Sequence, residues 1–340
     1  MGEILSRVHA NNLVRWAADK PNAVVFSADL TGSTEVDLFR DAYPGRFFSF
    51  GVAEQNMLSF AGGMAREGFL PLVHTFGVFI YRRAYDQVAM SVAYPNLPVR
   101  MFGFLPGVTT PGGATHQAIE DVALMRSLPN MTVLDCGDAT DVETVLDAIE
   151  TIPGPVYVRM LRGEVPRLFA AAEPLRVGRS RLVHAPASGP ADLAVFSSGI
   201  CTEEAIRAVR AMADRGLAIH HRHVSTLKPF DDPAILAAAV EARCGVITME
   251  NHVVVGGLGS AVAETLAEAG VGKKLVRIGL ADTFAHGASK AYLMKEYGLD
   301  AAALIRRAEG LLGRTLNIGE ADLAAVRIEP VHSMAKAEAL

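Results

Sequence analysis

Short, mostly apolar runs alternate with helix-like stretches along this 340-residue chain, and that alternation constrains the fold more than any single motif does. The runs AVVF at 23–26, PVRMF at 98–102 and MTVL at 131–134 read as buried strands, and the stretches 55–66 and 117–128 between them read as helices. Strands that are apolar along their length need cover on both faces, so the pattern predicts an α/β fold with a mostly parallel, doubly wound sheet. The run PVYVR at 155–159 closes this first segment. From residue 163 Gly, Pro, Ala and Arg take over, and GEVPRLF and HAPASGPAD read as turn-rich punctuation. A second alternation follows, with strands at 192–196, 218–224 and 245–249 and helices at 202–215 and after Gly259. The expected division is a first domain over 1–165, a linker over 166–191, a smaller doubly wound domain over 192–325 and a tail over 326–340. The length suffices for two separate cores.

Composition narrows the function classes. Half of the residues are hydrophobic and the mean hydropathy is +0.25, yet no run of eighteen apolar residues reads as a membrane span. The longest charge-free stretch, 101–119, carries Pro106, Pro111 and several glycines, so it reads as strand and loop. Apolar surface in excess of a membrane-free core points to burial in subunit contacts. The 32 basic and 37 acidic residues are well mixed and give a net charge of -5, with no basic stripe, which argues against nucleic acid as a partner. Cys136, Cys201 and Cys244 are odd in number and far apart, which fits a reducing compartment and neither disulfides nor a zinc site. The first sixteen residues, MGEILSRVHANNLVRW, hold no apolar signal core and read as a solvated amphipathic helix, so a cytoplasmic location is expected.

The stretch RFFSFGVAEQNM at 46–57 is the most informative for chemistry. An aromatic strand ends at Gly51 and a helix starts at Glu54, so this carboxylate sits beside an apolar strand end. Desolvation there favours its neutral form and suits proton exchange. A glutamate in a first helical turn also complements the helix dipole, which is the commoner reason for one. Further on, Phe76 and Phe79 stand three apart with more aromatics after them, and His116 follows a glycine pair in GGATHQ at 112–117. Taken singly, the phenylalanines read as core and the histidine means little.

In this order and spacing, SADLTGS at 27–33, GVAE at 51–54, RAYDQ at 83–87 and THQ at 115–117 resemble the pyrimidine-binding domain of transketolases. That resemblance spans about residues 5–165. VITMENH at 246–252 with GGLG at 256–259 is similar to the family's C-terminal domain. The resemblance implies a subunit that transfers a two-carbon ketol unit from a ketose to an aldose with thiamine diphosphate. Glu54 matches the glutamate that hydrogen-bonds the aminopyrimidine ring and promotes its proton exchange, while the cofactor itself carries the difficult chemistry. Phe76 and Phe79 match the aromatic pocket on which the ring stacks, with Arg82 counted among the cofactor-binding residues. Asp29 and Leu30 match positions that approach the cofactor across a subunit interface. His116 matches a catalytic histidine that faces the substrate hydroxyls. Arg7, Ser33 and Arg162 match groups that hold the distal phosphate of the sugar, a task suited to the planar guanidinium fork.

Two departures bear on the substrate. The family commonly has an acidic residue just before its Gly-x-Thr-His segment, where this chain reads TTPGG at 109–113, and a histidine upstream, where it reads FGFLP at 102–106. Both positions ordinarily face the sugar, so an altered substrate is expected, such as a deoxygenated, branched or sulfonated sugar. The family's diphosphate- and metal-binding Gly-Asp-Gly segment is missing, and the one Asn-Asn pair, Asn11-Asn12, lies in the opening helix. The chain, starting at Met1, therefore reads as a separate subunit. Its expected partner is an N-terminal-domain subunit that holds Mg2+ or Ca2+, in a dimer of heterodimers. The β subunit of a 2-oxoacid dehydrogenase, a deoxyxylulose-phosphate synthase and a non-catalytic regulatory subunit are the competing readings. Three further features are read as structural: His220, His221 and His223 on one strand, the glycine loop 256–260, and the pair Glu250 and His252.

Overall fold

The computed structural model describes residues 3–326. The expected tail from 327 onward lies outside the described residues. Among those described, the first sheet has seven strands in the spatial order Thr226–Lys228, Thr132–Asp135, Val156–Met160, Arg100–Phe104, Leu70–Phe76, Ala23–Ser27 and Phe47–Ser49. All neighbours are parallel except the first pair, in which Thr226–Lys228 runs antiparallel to Thr132–Asp135. Every residue of Ala23–Ser27, Arg100–Phe104, Thr132–Asp135 and Val156–Met160 is buried, as strands covered on both faces must be.

The helix Glu54–Arg66 lies as the sequence reading places it, to within one residue. Two other elements differ. The helix expected over 117–128 forms only over Asp121–Ser127. Residues 117–120 are held in a loop, because the Gln117 side chain donates to Thr110 O and Ala118 forms a parallel bridge with Pro106. The opening segment is not one solvated helix either. Ile4–Ser6 pairs antiparallel with Glu164–Pro166, Arg7 turns the chain in the left-handed region (φ 53°), and the helix Val8–Trp16 buries His9, Leu13 and Trp16.

The second sheet has five strands among the described residues, in the order Leu275–Leu280, Gly245–Val253, Leu193–Ser197, Ile219–His223 and Arg181–His184. The first four are parallel and Arg181–His184 is an antiparallel edge. That edge falls inside the stretch read as linker, and Thr226–Lys228, read with the second domain, completes the first sheet. Both strands are short and carry charged residues, so no apolar run announces them.

Buried polar groups join the two sheets. Arg159 donates to both oxygens of Asp121 at 2.8 Å, to Asp135 at 3.4 Å and to the carbonyls of Ala118 and Asn251. The Asn251 amide answers by donating to Pro106 O and accepting from the Val108 N–H, both at 3.0 Å. Burial alone would raise the Asp121 carboxyl, but Arg159 beside it holds it below the usual carboxylate range.

Candidate active site

The candidate residues gather at the C-terminal edge of the parallel strands in the first sheet, where ligands of open α/β sheets bind. Gly51 adopts φ 64°, which turns the chain from Phe47–Ser49 into the helix that begins at Glu54. Glu54 is 1% exposed, and Arg83 Nη1 donates to both of its carboxylate oxygens, at 2.7 and 2.8 Å. The side chain of Arg83 is itself 40% exposed, and its guanidinium carbon lies 4.1 Å from the centre of the Phe79 ring.

Phe76 ends the strand Leu70–Phe76 and Phe79 lies in the short helix Gly77–Tyr81. Their rings stack with centroids 5.8 Å apart and 27° between planes. The His116 ring stands edge-on to both, at 6.1 and 5.7 Å, and its Nδ1 is 2.9 Å from Thr115 Oγ1. The Arg162 guanidinium lies 5.7 Å from the Phe76 ring and donates to Ser33 O at 3.0 Å. Arg7 is close to this arm: its backbone N–H donates to Gly163 O and its guanidinium is paired with Asp37. A continuous line therefore runs from Glu54 through Arg83, Phe79, Phe76 and Arg162 to Ser33, with His116 over the two rings.

Asp29 and Leu30 follow the strand Ala23–Ser27, where Asp29 adopts φ 59° and the Leu30 N–H donates to Ser27 Oγ. They share the same sheet edge and are anchored there by the end of their own strand. Arg82 turns elsewhere. It grips Glu120 at 2.7 and 2.8 Å and donates to Ala114 O at 2.5 Å, so it braces the loop that carries His116. The arginine that meets Glu54 and Phe79 is its neighbour Arg83, which the sequence presents only as the first residue of RAYDQ. Both arginines lie in the turn between the short helices Gly77–Tyr81 and Tyr85–Gln87, and the motif alone does not say which one faces the ring.

The two departures have structural counterparts. A Cβ at Gly112 would come within 3.0 Å of His116 Cβ and Cγ, so a side chain there would force the imidazole to move. Phe104 is fully buried, with its ring centre 5.7 Å from His9 and 6.3 Å from His74. No motif in the sequence singles out those two histidines. Their Nε2 atoms meet at 2.9 Å, and burial lowers His9 to about 3. Most of the features read as structural are engaged within the chain, although the buried Nδ1 atoms of His220 and His221 have no hydrogen-bond partner among the described residues. His221 bonds Ser197 Oγ at 2.8 Å and His223 bridges Thr202 and Asp141. Glu250 accepts from the Leu258 and Gly259 N–H groups, and a Cβ at Gly257 would fall 1.9 Å from its Oε2. Burial pushes Glu250 up to about 7.

The residues present fit the ring end of thiamine diphosphate: two stacked phenylalanines, one half-buried, beside a buried carboxylate whose one close cation is partly exposed. Among the described residues no group of three or more His, Cys, Asp or Glu side chains could hold a metal ion. Beside the site two large apolar side chains are exposed. Val52 is 73% exposed and Phe60 is 45% exposed, flanking the edge strand Phe47–Ser49.

Comparison with known proteins identifies the family. Residues 5–167 match the family described as transketolase, pyrimidine binding domain, and residues 187–304 match transketolase, C-terminal domain. A transketolase family protein of Sinorhizobium fredii is 39% identical over 85% of this chain and 83% of its own length. The 6-deoxy-6-sulfo-D-fructose transketolase subunit SqwH of a Clostridium species is 36% identical over 91% of this chain and 95% of its own length. A solved split-gene transketolase, described as an inactive beta4 tetramer, superposes with a TM-score of 0.82 at 35% identity, covering 90% of this chain and 97% of that one. Synthases of 1-deoxy-D-xylulose 5-phosphate also match, and this chain spans about half of their length. With both of its domains matched in order, the chain belongs to the transketolase family.

Proposed function

We propose that this chain is the pyrimidine-binding subunit of a two-subunit transketolase that moves a two-carbon ketol unit from an anionic ketose to an aldose phosphate. The observation that carries the reading is the line from Glu54 to Arg162 on one open sheet edge, with a proton-handling carboxylate at one end and an anion-binding guanidinium at the other. Support for the split arrangement comes from relatives of about the same length, one of them named as a transketolase subunit. An N-terminal-domain partner would then hold the diphosphate together with its Mg2+ or Ca2+. The exposed apolar surface around Val52 and Phe60 is of the kind such a partner or a second copy would cover, which favours a dimer of heterodimers.

Thiamine diphosphate, when bound, supplies the nucleophilic carbon and the electron sink for breaking the ketose C2–C3 bond. This chain's residues would do the rest. Glu54 would hold or release a proton at its carboxylate toward the cofactor's ring, with Arg83, which donates to both carboxylate oxygens, beside it. Phe76 and Phe79 fix the ring plane, and ring contacts of this kind are worth about 0.5–1.5 kcal/mol beyond area burial. His116 donates or accepts a hydrogen bond at a substrate hydroxyl, and Arg162, with Ser33 and Arg7 beside it, orients the far oxyanion. Asp29 and Leu30 would approach the cofactor bound with a second protomer.

The test is an assay of the chain with an N-terminal-domain subunit against ketose donors, with pyruvate as an alternative donor. Ketol transfer from a ketose that requires both subunits is the expected result. Transfer by the rigorously purified chain alone would end the two-subunit reading. Preferential use of pyruvate would move the chain to the synthase branch of the family.

A further inference from the structure

A cavity of about 250 Å³ opens where the two domains meet. Its walls include Thr110 from the loop after the strand Arg100–Phe104, Arg162 and Glu164 after Val156–Met160, and Glu203 and Lys290 from the second domain. Arg162 is part of the lining and its guanidinium lies 5.7 Å from the Phe76 ring, so one side chain links the cavity to the aromatic pair. It is smaller than the roughly 300–1,000 Å³ of sites for drug-sized molecules, which suits the end of one sugar chain better than a whole cofactor.

The second domain is fixed against this cavity. Gln117 Nε2 donates to His286 O at 3.2 Å, and Gly287 comes so near the first domain that a Cβ on it would lie 2.7 Å from Pro111 O. That docking delivers Lys290 as the first residue of the helix Lys290–Glu296. Glu203 comes from the first turn of the helix Cys201–Ala213. The cavity thus holds two cations and two carboxylates. Cations suit an oxyanion and carboxylates accept from hydroxyls, so the combination fits a polyhydroxylated chain with an anionic end. The first domain offers no carboxylate at Gly112 and no imidazole at Phe104 or Leu105 for those hydroxyls.

We propose that Lys290 and Glu203 of the second domain bind the far end of the substrate, with Lys290 sharing the terminal phosphate or sulfonate with Arg162 and Glu203 accepting from a chain hydroxyl. This rests on the transketolase reading above and makes the second domain a determinant of substrate choice.

The test begins with the purified chain titrated with inorganic phosphate, and separately with sulfate, read by the NMR shifts of labelled lysine and arginine side chains. The wild type should saturate, Lys290→Met should bind about tenfold more weakly, and Lys290→Arg should keep most of the affinity. Lys295→Met, on the same helix, should bind as the wild type does. In the assembled enzyme Lys290→Met should raise KM for an anionic ketose about tenfold while kcat stays within about twofold, and an uncharged analogue should be unaffected. No saturable binding by the wild type, or equal binding by Lys290→Met, overturns the proposal. The titration needs neither cofactor nor partner, so its outcome stands apart from whether ketol transfer is found. Transfer with an unchanged Lys290→Met titration would sink this inference alone.

Discussion

The seam between the two sheets and the corner around Glu54 both bury charge, and they treat it in opposite ways. In the seam Arg159 is enclosed and spends its donors on Asp121, Asp135 and two carbonyls, all inside the chain. At the corner Glu54 is as deeply buried, but its cation, Arg83, reaches in from a partly exposed position and shares its face with a half-buried phenylalanine. Around the seam the neighbouring surface is closed by Asn251 and the loop after Arg100–Phe104, whereas beside the corner Val52 and Phe60 stand open. A charge whose partners are all internal fixes structure. A carboxylate guarded by a partly exposed cation, next to exposed apolar side chains, is arranged for something that arrives.

That contrast can be broken by substitution. Glu54→Gln should lower ketol transfer of the assembled enzyme by ~10²–10⁴-fold while leaving the melting temperature of the chain nearly unchanged. A large loss of stability instead would make Glu54 a seam-like group. Arg159→Met should do the reverse. It leaves Asp121 and Asp135 buried without their cation and should cost about 3–5 kcal/mol of unfolding free energy by denaturant titration. A change below about 1 kcal/mol would mean that the seam is not held by its charges.

A finer prediction concerns Phe79. Phe79→Ala should weaken cofactor affinity in the assembled enzyme by about tenfold, measured by thiamine diphosphate titration, since it removes one ring of the stack. The same change should alter the stability of the isolated chain less than a core substitution does, because Phe79 is only half-buried. Equal damage to stability would mark it as core.

The smallest expected effect is on pH dependence at the seam. The Ala123 N–H donates to His252 Nε2 at 3.3 Å, which requires an unprotonated ring, and burial together with Arg159 lowers His252 to about 4. The unfolded chain takes up that proton below its ordinary value of about 6.5. The contribution is therefore fully present above about pH 6.5 and is lost as the pH falls toward 4. Between pH 7.5 and 5.5, His252→Gln, which keeps an acceptor for Ala123, should remove about 1 kcal/mol of the acid-side loss. An unchanged slope in the variant would show that His252 can take up a proton without cost to the fold.

Much of this was legible in the sequence, for physical reasons that also explain the rest. Strands such as Ala23–Ser27 and Val156–Met160 are apolar on both faces, so they announce themselves within a residue or two. Glu54 at its helix start and the Phe76–Phe79 spacing were readable because each depends on a few neighbouring residues. What stayed hidden depends on partners far along the chain. The strands Ile4–Ser6, Arg181–His184 and Thr226–Lys228 are three or four residues long and are defined by what they pair with. His9 and His74 are 65 residues apart in sequence. Whether Arg82 or Arg83 faces the site is decided by the turn between two short helices, which no motif encodes. The cavity shared by Arg162 and Lys290 needs the docking of two domains before it exists.

The central claim is that this chain contributes the proton-handling half of a site completed by another subunit. Exchange of the C2 proton of thiamine diphosphate for deuterium, followed by NMR, tests it without any assumption about the sugar. The account predicts no acceleration by the chain alone, fast exchange once an N-terminal-domain subunit is added, and exchange slowed by ~10²-fold or more when the added chain carries Glu54→Gln. Exchange at the full rate with Glu54→Gln, or with the wild-type chain in the absence of any partner, would contradict it.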